Sequence, residues 1–64
     1  MRRQIVIGKM KRFKIAEIIY DDNRSIQIDH KRIKYHDYYL IHDNCGFLFT
    51  LYYDHIININ RLEQ

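Results

Sequence analysis

The chain has 64 residues, a formal net charge of +3, one cysteine, two glycines and no proline. A lone cysteine excludes an internal disulfide, so a reducing, cytoplasmic setting is the simpler expectation. At this length one small domain buries only about 60 % of the surface its unfolded form exposes. That leaves little room for a catalytic cavity.

The N-terminal Ile5-Val6-Ile7 is too short for the apolar region of a signal peptide. Nothing approaches the roughly 20 apolar residues of a membrane-spanning helix. Isoleucine occurs twelve times and tyrosine six, against a single alanine. β-Branched and aromatic residues fit a pleated, half-buried surface, so the composition favours strands over helices. AT-rich codons give the same bias, as in an accessory gene of a low-GC bacterium or its phage. Charge is split: residues 1–34 carry +6 and residues 35–64 carry −3. A basic half is joined to an acidic, aromatic half, as a polar contact surface requires.

In chain order, Gln4 to Ile7 reads as a short optional strand. Phe13 to Tyr20 alternates as a strand, and Asp21-Asp22-Asn23-Arg24 is a turn signal. Ser25 to Asp29 alternates again. Pairing across the turn sets Ile19 opposite Ile26 and Glu17 opposite Ile28. The predicted core face is then Phe13, Ile15, Ile19, Ile26 and Ile28, with Glu17 as an awkward member.

His30 to Lys34 is basic around the lone Ile33 and reads as a loop or an exposed strand start, and Tyr35 to His42 as a third strand. Asp43-Asn44-Cys45-Gly46 is the second turn, and Phe47 to Tyr53 a strand that is greasy on both faces. His42 is expected opposite Phe47, Leu40 opposite Phe49 and Tyr38 opposite Leu51. That partition survives a two-residue change of register but not a slip of one. Asp54 to Asn60, with Ile57 and Ile59 on one side, closes the pattern. The whole reads as an all-β antiparallel meander of five or six short strands curling into an SH3-like or OB-like barrel. The alternative is α+β, with a short N-terminal helix over residues 8 to 19.

Catalytic and metal constellations are weak. His36 and His42 lie roughly 20 Å apart on an extended strand. His42, Cys45, Asp43 and His55 lack the tight paired spacing of a structural zinc site. Gly8-Lys9 has neither the upstream glycine nor the following Ser/Thr of a phosphate loop. The expectation is therefore a non-enzymatic protein with no metal, cofactor or small-molecule substrate.

Two surfaces remain. The surplus face of the third and fourth strands carries Tyr35, Asp37, Tyr39, Ile41, Leu48, Thr50 and Tyr52. This mixture suits a protein partner or a homodimer, because tyrosine joins a large contact area to a hydrogen-bonding tip. The second comprises Arg2, Arg3, Lys9, Lys11, Arg12 and Lys14 with Lys31, Arg32 and Lys34. These residues would neutralise the phosphates of a nucleic acid while tyrosines stack on its bases. Against each stands a plainer use, as solvated edge cations or as a face covered by the chain's own ends. The leading expectation is a small interaction protein, an inhibitor, adaptor or regulator, and the alternative is a nucleic-acid binder.

Overall fold

In a computed structural model, residues 1–62 are described. The order is α1 (Arg3–Arg12), β1 (Ile15–Tyr20), β2 (Arg24–Asp29), a 3-10 turn (His30–Arg32), β3 (Ile33–Tyr35), β4 (Tyr39–Asn44), β5 (Phe47–Tyr52), a second 3-10 turn (Tyr53–His55) and β6 (Ile56–Arg61). Two antiparallel three-stranded sheets result, ordered β2-β1-β6 and β3-β4-β5. No strand pairing joins them into a closed ring among the described residues.

The N-terminal helix is present, but it spans residues 3–12 where residues 8–19 were expected. It also takes in Gln4 to Ile7, so that segment is not a strand. Val6 and Met10, four apart and so on one face, are both fully buried. Lys9, Lys11 and Arg12 sit in the last turn, where the helix dipole favours cations. No side chain caps the start, and Gly8 costs about 1 kcal/mol relative to alanine. A ten-residue helix so composed depends on packing for its existence. The Met1 amino group helps to fix it by donating to the carbonyls of Tyr53 (2.6 Å) and Ile56 (3.2 Å).

The first hairpin differs from expectation by one residue. Tyr20 pairs with Arg24, leaving a three-residue loop in which Asp21 (φ 48°) and Asn23 (φ 65°) adopt left-handed backbone. An odd loop reverses the parity set by an even one. Ile18 therefore pairs with Ile26 and Ala16 with Ile28. Ala16, Ile18 and Ile28 are buried, while Phe13, Ile15 and Ile19 are only half-buried. The slip also resolves the awkward Glu17, which turns away from the core opposite Gln27.

The second hairpin keeps its predicted faces with the register moved by two. Asn44 pairs with Phe47, His42 with Phe49 and Leu40 with Leu51. Cys45 (φ 54°) and Gly46 (φ 93°) form the two-residue loop, both in the left-handed region that such hairpin turns demand. Asp43 Oδ1 accepts from the Gly46 N–H at 3.0 Å and so braces it. Phe47 belongs by parity to the core face but sits beside the hairpin tip, past the end of the core, and is 81 % exposed.

The expected strand Tyr35 to His42 is broken. A bend at residues 36–38 separates β3 from β4, leaving Tyr38 77 % exposed instead of facing Leu51. On β6 a register shift between Ile19 and Tyr20 gives the pairs Ile19–Asn58 and Tyr20–Ile56. The extra residue is Ile57, which is thrown outward at 54 % exposure while Ile56 and Ile59 stay buried.

The core lies between the sheets, with Val6 and Met10 of α1 packed beside Ile18, Ile28, Leu40, Leu51, Tyr53, Ile56 and Ile59. Replacing Ile18 by alanine is expected to destabilise the fold by about 2–5 kcal/mol, and Ile57→Ala by under about 1 kcal/mol. Urea unfolding of the two variants checks the bulge, since a shared face would make the two losses similar.

Candidate functional site

The outer face of the β3-β4-β5 sheet is set by strand alternation. Pairing aligns Tyr39 with Tyr52, Ile41 with both Lys34 and Thr50, and Asp43 with Leu48. Five of the predicted contact residues are thus brought together: Tyr39, Ile41, Leu48, Thr50 and Tyr52. Leu48 is 69 % and Tyr52 50 % exposed.

Two others fall elsewhere. Tyr35 pairs with Leu40 and so lies on the inner side, packed against the core. Its hydroxyl meets His30 Nδ1 at 3.3 Å, and burial pushes its pKa up to about 12, with the Tyr53 phenol adding to the shift. The broken third strand is the reason, because an unbroken one would have kept Tyr35 in step with Tyr39. Asp37 lies exposed in the bend, close enough to Tyr53 to oppose that phenol's ionisation. Tyr53 itself is raised chiefly by burial, and its hydroxyl donates to the His36 carbonyl at 2.7 Å, which fixes the bend.

Four rings cross this face. His36 stacks on Tyr39 at 4.7 Å and 18°, Tyr39 meets Tyr52 at 5.5 Å, and Tyr52 meets His55 at 5.9 Å. His55 Nδ1 in turn lies 3.3 Å from Asp21 Oδ1, in the loop of the other sheet. The two histidines carry no spacing signal in the sequence. His36 precedes the face in the bend, and His55 follows it in the second 3-10 turn.

The predicted basic residues divide. Arg2 and Arg3 stand at the start of α1, and Lys9, Lys11 and Arg12 in its last turn. Arg61 joins the helix end, donating to the Arg12 carbonyl at 3.3 Å with its guanidinium 4.8 Å over Phe13. Lys14 links helix to sheet, its carbonyl accepting from the His30 N–H at 2.9 Å. Lys31, Arg32 and Lys34 line a shallow groove together with Ile41, Asp43 and Leu48. This adjacency of cations and apolar face carries no sequence signal, because it arises only where β3 pairs with β4.

Among the described residues His42 is the one buried polar side chain besides Tyr53, at 4 % exposure. Its Nε2 accepts from the Asp29 N–H at 3.2 Å, joining the end of β2 to β4 across the two sheets. In the neutral ring Nδ1 therefore carries the hydrogen, and that atom is buried without a partner. Burial lowers the His42 pKa, aided by Arg32 and opposed by Asp29 and Asp43. Among the described residues no group of three His, Cys, Asp or Glu is placed to hold a metal ion. Nor is any helix there long and apolar enough to cross a membrane. No known protein family, curated protein or solved structure matches the chain.

A lowered folded pKa means that the unfolded chain takes up the His42 proton first. Stability is therefore full above the unfolded value of about 6.5 and falls as pH drops below it, levelling once the folded ring also protonates. Chemical denaturation between pH 7.5 and 5 is expected to show this loss in the wild type and a smaller one in His42→Gln. Equal slopes would contradict the assignment.

Proposed function

We propose that the protein is a non-enzymatic interaction module that binds a protein partner on the outer face of the β3-β4-β5 sheet. The observation that carries the reading is the row His36, Tyr39, Tyr52, His55 beside exposed Leu48, a stretch of aromatic and apolar surface that the chain leaves open to solvent. Tyrosine-rich surface of this kind supplies the anchors of protein interfaces at low entropic cost. Lys31, Arg32 and Lys34 along the groove give the partner's contacting segment its chemistry: apolar side chains flanked by carboxylates. An adaptor, inhibitor or regulator would use such a face.

The same reading takes the two sheets as halves of an SH3-like or OB-like barrel. The single core between them supports it, as does the passage from β2 to β3 through the tight turn His30–Arg32.

A second reading has one observation in its favour. The three groove cations share their groove with His36, whose ring stacks on Tyr39, the pairing of charge and ring that single-stranded nucleic acid uses. Asp43 lines the same groove and weakens the fit to phosphate.

Both are tested by placing a photo-crosslinking phenylalanine at position 39, and as control at position 27 on the other sheet, in a lysate of the source cells. The reading predicts nuclease-resistant protein adducts from position 39, reduced at least about tenfold by Ile41→Asp, the loss of one good anchor. Equal adducts from both positions would overturn it. Adducts that vanish with nuclease would favour the second reading.

A further inference from the structure

Among the described residues strand β5 has a neighbour on one side only. Its backbone bonds go to β4, and its other edge is open. Which groups face that edge follows from the hairpin. Asn44 and Phe47 flank a two-residue loop and so form a hydrogen-bonded pair, and the alternation continues through His42–Phe49 and Leu40–Leu51. The Tyr53 N–H donating to the Tyr38 carbonyl at 3.1 Å is the next step of that series. The remaining residues, Leu48, Thr50 and Tyr52, therefore point every N–H and C=O outward.

The sheets have four outer strands, and three of them carry charge: Arg24 and Asp29 on β2, Lys34 on β3 and Arg61 on β6. Charged residues on edges are what keeps strands from pairing with other chains. β5 reads Phe-Leu-Phe-Thr-Leu-Tyr, without a charge, a proline or a glycine, and its Phe47, Leu48 and Tyr52 are at least half exposed.

We infer that the β5 edge is the interface for a second copy of this chain, paired antiparallel about a two-fold axis at Thr50. The free groups themselves select this register. The two inner faces stay on one side of the joined sheet only if residues of equal parity oppose each other. With Thr50 opposite the partner's Thr50, Leu48 meets the partner's Tyr52, and all the outward N–H and C=O groups of these three residues find partners. Centring the axis on Phe49 instead leaves the Tyr52 groups unpaired. An uncharged edge also meets its own copy without setting any charge against the joined strands. The product is one six-stranded sheet with two aromatic faces side by side. This surface is the strand edge, distinct from the face proposed above, and does not depend on that proposal.

Light scattering on a size-exclusion column, over a concentration series, tests it. The wild type is expected to approach twice the 8.0 kDa chain mass as concentration rises. Thr50→Pro is expected to remain at the chain mass. Its missing N–H points away from β4, so the fold tolerates the change. Thr50→Lys, which sets two ammonium groups against each other at the axis, is the second variant, and circular dichroism verifies that both are folded. Ile41→Asp, on β4, alters the face and not the edge and is expected to leave the dimer intact, which separates failure of one surface from failure of the other. A wild type that stays monomeric, folded variants that still dimerise, or assemblies growing beyond the dimer would each overturn the inference.

Discussion

Ten buried apolar side chains, drawn from the helix, both sheets and the second 3-10 turn, form the whole core among the described residues, and no single element could fold on them alone. A three-stranded sheet needs something to pack its apolar face against. Here each sheet supplies that cover for the other, and Val6 and Met10 of α1 add to it. Among the described residues Leu48, Thr50 and Tyr52 on the outer side of the second sheet stay exposed, and that is where an aromatic row and a hydrophobic edge have their consequences.

His42, buried in this interior, sits at the joint. The Asp29 N–H to His42 Nε2 bond spans the two sheets where the chain leaves β2 for the first 3-10 turn. Asp29 serves twice there, since its Oδ1 also accepts from the Lys31 N–H at 3.0 Å. A leucine at position 42 would pack as well but would leave a backbone donor without its acceptor, a cost of about 1–3 kcal/mol for a buried group. Histidine satisfies that donor and leaves its own Nδ1 unpaired, so the joint tolerates a neutral ring better than a charged one.

Much of this was legible in the sequence where alternation and turn chemistry agreed. The β4-β5 hairpin kept its two faces because a register change of two leaves parity intact. The β1-β2 hairpin was misread because Asp21-Asp22-Asn23-Arg24 signals a turn without giving the number of loop residues, and an odd number moves every side chain to the other face. Glu17 among isoleucines carried the warning. The helix was anticipated only as a rival and in the wrong place, since its ten residues have weak propensity and form on tertiary contacts. Ile57 could not have been placed, because a bulge is a property of two strands together. Tyr35 was misassigned for a similar reason: the bend after it is held by Tyr53, 17 residues away. The grouping of Lys31, Arg32 and Lys34 with Ile41 and Leu48 likewise exists only once β3 pairs with β4.

Pairing at the open edge depends on which side of β5 each backbone group faces and on what meets the outward ones. Residue-resolved amide exchange measures this directly. Phe49 and Leu51, bonded to β4, should exchange slowly at every protein concentration. Leu48, Thr50 and Tyr52 should be protected in concentrated solution and lose that protection on dilution. Uniform protection along β5, unchanged by dilution, would contradict the account.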